Sequence, residues 1–481
     1  MKVLLINPPF NIGKANYDDS VSVGLLSIAT YLNSKGISVR IIDGVRQKDF
    51  LNLVKKEIIG CFCAGISVMT TQIPNALEVS RLIKEVHPQC QIVWGGTHPT
   101  FFPRETAIHP LIDIVCFGEG EETLFEIVSS KDHSQIKGIA YKRDDHIIKN
   151  PPRKLGDPAK MPLFNWDLVP EEVLHHLRLI PSLTSRGCPH RCAFCINAIL
   201  KNKWRPRTAQ QVLQDLKIIK ENKYFWGKKI RFWDENFFVD IGRAKQIIND
   251  MITNNLIIPW ETTVRVDYIR DGMIDEFFME NLKKSGCYLL SFGAESGSPR
   301  ILEKIQKGIT PEQILYSAEI CLKHDIIPQY SFMIGLPGET KADMMLTVSL
   351  IDKLARLSDK VQILGPQPFR PYPGSILYEE CFQTGWEAPH SLEEWAILVK
   401  NELNYLTVQN FPWVKEKDFV DSMEAYVRFG AHSFRSALGS SVKAQLLLRI
   451  GFILFCQLRW KLKFFYWPFD FKLAKKYVTP G

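Results

Sequence analysis

The chain has 481 residues, 46% of them hydrophobic and 23% charged, a composition that excludes a disordered chain. That length exceeds one hydrophobic core, so about two or three domains are expected. The net charge of +8 sits mostly in the tail: Ser441 to Gly481 holds eight Lys or Arg against one acid, Asp470, so the rest of the chain is almost neutral and its charge gives no ground to expect a nucleic-acid partner.

Residues 1–9 form a short apolar run that stops at Pro8-Pro9, unlike a secretory signal. With eleven cysteines and no such signal, a reducing, cytoplasmic setting is expected. Val- and Ile-rich strands are predicted at 2–6, 38–42, 63–67, 91–94 and 112–116, with helices at 25–35, 50–59, 76–86 and 121–127 between them. This alternation predicts a doubly wound parallel sheet, whose ligands bind at the carboxyl ends of its strands. Four loops stand there: Asn7-Pro8-Pro9, the 67–72 loop with Ser67 and Thr70, the 95–100 loop with Gly95, Gly96 and His98, and the 118–121 loop with Gly118 and Glu119. On composition alone they read equally well as ligand loops and as ordinary turns.

Residues 137–178 form a hairpin around Asp144-Asp145 followed by recurring prolines, the pattern of a linker. A second βα series follows, with strands at 180–184, 229–233, 261–264, 288–292, 329–333 and 362–364 and helices at 209–221, 242–252, 272–284, 311–324 and 341–354. Six such units predict a partial parallel barrel. The expected domains are therefore 1–136, 137–178, 179–400 and a helical 401–481.

Within the barrel's first loop, Cys188-Pro-His-Arg-Cys192-Ala-Phe-Cys195 spaces three thiols for one metal centre. Thiolates favour iron–sulfur clusters or zinc. Zinc needs a fourth ligand, for which His190 is a candidate, whereas a four-iron cluster needs only these three and keeps one iron open. With this loop the sequence resembles the radical S-adenosylmethionine superfamily. The resemblance extends to Asp234-Glu235-Asn236, which it assigns to the amino group of S-adenosylmethionine, and to Gly293-Ala294-Glu295-Ser296-Gly297, whose acid it assigns to the ribose. It also covers Ser331 to Glu339, including Ser331 and Gly335, behind the adenine, and Phe194 beside it. Arg265 reads either as a partner of the methionine carboxylate or as a structural ion pair with Asp267.

The first domain is in turn similar to the cobalamin-binding domain upstream in the B12-dependent branch of that superfamily. The resemblance implies that Asn7, Ser67, Thr70, Gly95, Gly96, His98, Gly118 and Glu119 line a cobalamin site. One departure concerns the loop at 9–14, which lacks the cobalt-ligating histidine of the best-known B12 proteins. The implied cofactors are a [4Fe-4S] cluster, S-adenosylmethionine and cobalamin, with flavodoxin or ferredoxin as electron donor. The implied activity starts from a 5′-deoxyadenosyl radical and methylates an unactivated carbon of a small, apolar or lipid-like substrate. Radical oxidative cyclisation or rearrangement is the alternative, and a cobalamin- or redox-sensing binding protein a remoter one.

In the tail, the apolar stretch 444–458 falls short of a membrane span. Arg459, Lys461 and Lys463 interleave with Trp460, Leu462, Phe464, Phe465, Tyr466 and Trp467. Two readings stand open: an interfacial helix on an anionic membrane, or a helix covering the enzyme's own barrel.

Overall fold

Strands β1 (Lys2–Asn7), β2 (Ser38–Asp43), β3 (Cys63–Ser67), β4 (Gln91–Gly95) and β5 (Ile114–Cys116) are joined as parallel neighbours in the order β2-β1-β3-β4-β5. Their Val, Ile and Leu side chains are buried by helices such as Val23–Ser34 and Ile73–Val86, as expected of a sheet covered on both faces. The strand order reverses beside β1, so the ends of β1 and β3, Asn7 and Ser67, flank the switch point where such sheets take ligands. The computed structural model describes residues 1–10, 21–400, 408–431 and 446–474.

The predicted hairpin, β6 (Ile139–Arg143) and β7 (His146–Lys149), pairs antiparallel onto β5 and extends this sheet to seven strands. The proline-rich stretch beyond it is held down as well. Arg153 donates to Glu122 and Thr123, and Trp166 packs edge-on against Phe225. The first compact unit accordingly comprises Met1–Pro181, Gln214–Lys228 and Ala388–Tyr405. Its last piece stands with the barrel in sequence order but with this sheet in space. Leu392, Trp395 and Ala396, on the helix Leu392–Lys400, are buried in one core with Ile73, Ala76 and Leu77.

The second unit comprises Ser182–Leu213, Lys229–Glu387 and Leu406–Gly481. Its six-stranded sheet runs β15-β14-β13-β12-β11-β8. The members are β8 (Leu179–Ser182), β11 (Lys229–Phe232), β12 (Trp260–Val264), β13 (Cys287–Glu295), β14 (Ile327–Ile334) and β15 (Gln362–Pro368), and the pairs from β11 to β15 are parallel. A two-residue ribbon, β9 (Ser185–Arg186) with β10 (Arg205–Pro206), follows β8. Side-chain caps set the helix starts: Asp240, Ser298, Thr310 and Thr340 each accept from a first-turn amide. The helix predicted at 272–284 begins only at Glu276, because Asp275 caps it by accepting from Phe278 N, while Gly272 turns at φ +78°.

The tail adds the helices Leu446–Leu462 and Phe469–Ala474. Among the described residues no helix is long and apolar enough to cross a membrane. Arg459 and Trp460, counted above in the cationic–aromatic stripe, are buried instead. Arg459 forks onto Asp470 at 2.8 and 2.9 Å, and the Trp460 indole donates to Asp352 on the helix Lys341–Leu357 at 2.7 Å. A guanidinium with an internal carboxylate has no reason to seek an external one.

Candidate functional site

The cysteine loop leaves β9 through Gly187, whose φ of +81° and close approach to the Asn202 and Lys203 carbonyls leave no room for a side chain. Cys188 N donates to Asn202 O, Ala193 N to Ile305 O, and Cys195 N to Cys192 O, so the loop is folded back on itself. Cys192 is buried and the other two thiols are half-buried. Burial pushes the Cys188 and Cys195 thiols up, and each thiol also feels the others' charge. Among the described residues no three His, Cys, Asp or Glu side chains close on a single-ion position. A cubane does not need one, since each thiolate takes a different iron. His190, the candidate fourth ligand, instead shares a 2.9 Å hydrogen bond with the Tyr268 hydroxyl, and burial pushes its ring down to about 4. The donor set fits a three-thiolate cluster.

Beyond β11 the paired acids face different ways. Asp234 is buried and accepts from Thr184 N at 2.7 Å, Thr184 Oγ1 at 2.6 Å and Ser185 Oγ. Its carboxylate therefore ties the β8–β9 corner. Glu235 accepts from Gly187 N at 3.0 Å, directly before Cys188, and burial raises its pKa. Asn236 is buried, and its side-chain oxygen accepts from Phe238 N at 3.3 Å.

Glu295 ends β13 in the left-handed region at φ +64°, beside a register shift between Gly293 and Glu295. Such a conformation costs a non-glycine residue about 1–3 kcal/mol and persists where the surroundings enforce it. Here the enforcing contact is Lys307, whose Nζ lies 2.8 Å from Glu295 Oε1 with both side chains about nine-tenths buried. The pair crosses directly over Gly293, where a Cβ would meet both charged ends. Lys307 Nζ also stands 5.7 Å from the centre of the Phe194 ring. Arg265, after β12, donates to Lys307 O at 2.6 Å and to Asp267 Oδ1 at 2.9 Å, and its Nη1 is 4.0 Å from Cys192 Sγ. The structural ion pair with Asp267 is present, and the same guanidinium also faces Cys192. Lys307 was not among the residues singled out from the sequence. It lies in a turn with no motif, and nothing short of the folded chain marks it.

Ser331 pairs in register with Gly293, and its hydroxyl reaches Phe292 O at 3.5 Å. Gly335 turns at φ +75°, and a Cβ there would press on Val420 and Val414. Its carbonyl accepts from the Trp413 indole. Its amide and that of Leu336 donate to Glu339, which burial pushes up to about 7.

In the first unit, the Asn7 amide donates to Asp43 at 3.0 Å and accepts from Gln72 at 2.9 Å, locking the ends of β1 and β2 to the turn after β3. Ser67 ends β3 half-buried, and Gly95 ends β4 the same way. Gly96, at φ +100°, lets its loop approach the Val68 backbone so closely that a Cβ would stand 2.8 Å from Val68 N. Thr70 Oγ1 lies 3.2 Å from His98 Nδ1. The His98 ring is sealed between Phe102 and Trp395, at 5.0 and 5.6 Å, and burial pushes it down to about 3, so it stays neutral. Gly118, at φ +86° with open space around it, donates to Thr100 Oγ1, and Glu119 accepts from Gly156 N. Residues 11–14 of the histidine-free loop lie outside the described residues. Backbone-lined loops at one sheet end, with the His98 imidazole sequestered, fit a corrinoid that takes no cobalt ligand from His98.

The B12 binding domain model matches residues 13–128 and the Radical SAM superfamily model residues 182–351. An uncharacterized methyltransferase, PH0819 of Pyrococcus horikoshii, is 30% identical over 89% of this chain and 92% of its own. An anaerobic magnesium-protoporphyrin IX monomethyl ester cyclase of Rubrivivax gelatinosus is 25% identical over 79% of this chain and 70% of its own. The structure of the cobalamin-dependent S-adenosylmethionine radical enzyme OxsB, with aqua-cobalamin and S-adenosylmethionine bound, shares the fold with a TM-score of 0.62 at 20% identity, covering 86% of this chain and 57% of that one. Two domains in this order, and a 30% identical relative matched over 89% of this chain and 92% of its own, mean that the chain belongs to the cobalamin-dependent radical S-adenosylmethionine methyltransferase family.

Proposed function

We propose that this protein methylates an unactivated carbon of a small substrate, with Cys188, Cys192 and Cys195 as the cluster ligands. When bound, the cluster and S-adenosylmethionine supply a 5′-deoxyadenosyl radical, and cobalamin supplies the methyl group. The carrying observation is the continuous contact from Cys192 through Arg265 and Lys307 to Glu295, which joins the thiol loop to the carboxyl end of β13. In this reading Glu235 receives the amino group and Arg265 the carboxylate of S-adenosylmethionine. Glu295, its carboxylate oriented by Lys307, takes the ribose hydroxyls. Phe194, Ser331 and Gly335 bound the adenine. Asp234, committed to Thr184 and Ser185, positions the strand end that carries Glu235. In the first unit, Asn7, Ser67, Thr70, Gly95, Gly96, Gly118 and Glu119 shape the corrinoid cradle, and His98 buttresses it from within.

Reduction by a flavodoxin or ferredoxin, a cytoplasmic setting and an apolar substrate complete the proposal. Anaerobic reconstitution with iron, sulfide and hydroxocobalamin, followed by turnover with methyl-labelled S-adenosylmethionine, tests it. Label in the product supports methyl transfer. Formation of 5′-deoxyadenosine without label in product favours the second reading, radical cyclisation, which the similarity to the Rubrivivax cyclase motivates. Stoichiometric zinc with no uptake of iron would refute both.

A further inference from the structure

The helix Leu446–Leu462 divides its surface unevenly. Ile453, Cys456 and Trp460 are buried, with Trp460 bonded to Asp352. The opposite stripe, Leu454, Phe455, Leu458 and Leu462, repeats at helical spacing and is at least half exposed throughout. The chain then turns at Trp467, at φ +46°, and brings Phe469 back beside Phe455, with ring centroids 6.4 Å apart. Trp467 itself is 82% exposed. Helix stripe and turn thus form one contiguous apolar and aromatic face, of a kind that folded monomers rarely leave to water.

Charge selects what covers it. The tail carries eight Lys or Arg and one acid, and that acid, Asp470, is spent internally on buried Arg459. Lys461 stands exposed on the same helix, and the sequence continues to Lys475 and Lys476. Lys463 and Lys472 reach Asp352 and Asp418, and Lys461 is the cation left exposed along the described part of the face. A second copy would bring the same positive charge to a symmetric interface and be repelled. A helix of 17 residues with Arg459 and Lys461 in its last turn is too short and too charged to span a bilayer, but it suits one lying in the headgroup plane. We propose that this face docks the enzyme on an anionic lipid bilayer, with Leu458, Leu462 and Trp467 entering the acyl boundary and Lys461 meeting the headgroups. The proposal stands independently of the radical chemistry.

The full-length holoenzyme is floated with vesicles of phosphatidylcholine alone and of phosphatidylcholine with phosphatidylglycerol. Binding is expected to the anionic vesicles and to weaken as salt rises. The double variant Leu462→Ser, Trp467→Ser alters only exposed side chains and should bind at least about tenfold more weakly, the factor that ~1.4 kcal/mol of lost apolar transfer corresponds to. Its melting temperature and 5′-deoxyadenosine formation should be unchanged. Trp226→Ser, which removes another exposed indole far along the chain, should not affect binding. Absence of binding to either vesicle, or equal binding by the double variant, overturns the proposal. So does a wild-type dimer in sedimentation velocity that the double variant abolishes, which would assign the face to a second copy.

Discussion

Gly293→Ala perturbs the Glu295–Lys307 pair without replacing either partner. An added methyl would stand 2.7 Å from Lys307 Nζ and closer still to Glu295 Oε1, against about 3.4 Å for ordinary contact, so each charged end must withdraw by ~1 Å. Both obstructing atoms are the far ends of flexible side chains, so the backbone of β13 is spared and the global cost should stay below ~1 kcal/mol. The local cost is larger. A catalytic group misplaced by ~1 Å loses about a hundredfold in rate, and a hydrogen bond to a charged group accounts for ~1.5–3 kcal/mol of affinity. Gly293→Ala should therefore keep its cluster absorbance and melting temperature while S-adenosylmethionine affinity or 5′-deoxyadenosine formation falls ten- to about a hundredfold. Lys307→Met should show the same defect together with instability, because it strands a buried carboxylate at a cost of ~3–5 kcal/mol. If Gly293→Ala cleaves S-adenosylmethionine at the wild-type rate, the geometric argument for Glu295 is wrong.

Gly96→Ala should destabilise the first unit by about 2 kcal/mol or more, from positive φ and a clash with the Val68 backbone, and lower cobalamin uptake in equilibrium dialysis. Burial beside the Trp395 helix pushes the Glu105 carboxyl from 4.5 up to about 7. The folded state thus holds its proton more tightly than the unfolded one, and the contribution is complete below pH ~4.5 and lost as pH rises through about 7. Glu105→Gln should match the wild type in denaturant titrations at pH 4.5 and exceed it by ~1–2 kcal/mol at pH 8, a figure reduced for partial exposure; equal stability at pH 8 would contradict this. Asp470→Asn should cost ~3 kcal/mol in the same titration by leaving Arg459 buried without its charge partner, and a loss under ~1 kcal/mol would show that the pair is solvated.

Local chemistry wrote the order of elements into the chain. Short Val- and Ile-rich runs bounded by Gly, Pro and Asp specify strands whatever surrounds them, and so the βα alternation of both sheets and the positions of β1 to β4 were legible to within a residue or two. The cysteine loop was equally plain, because three thiols in eight residues constrain one another through covalent spacing alone. Spacing cannot say which way a side chain turns at a strand end, so it could not divide Asp234, bonded to Thr184 and Ser185, from Glu235, which faces the thiol loop. Nor could it find Lys307, whose partner is twelve positions away across a turn, or learn that the helix Leu392–Lys400 returns to the first unit's core. The tail illustrates the same limit. Its sequence mixes cations and aromatics evenly, and only folding sorted them, because Arg459 found Asp470 inside and left Trp467 outside. Periodicity and metal-ligand spacing act over a few residues and are carried by the chain itself, whereas pairings of charge and burial depend on which distant segments meet, and tertiary structure alone decides that.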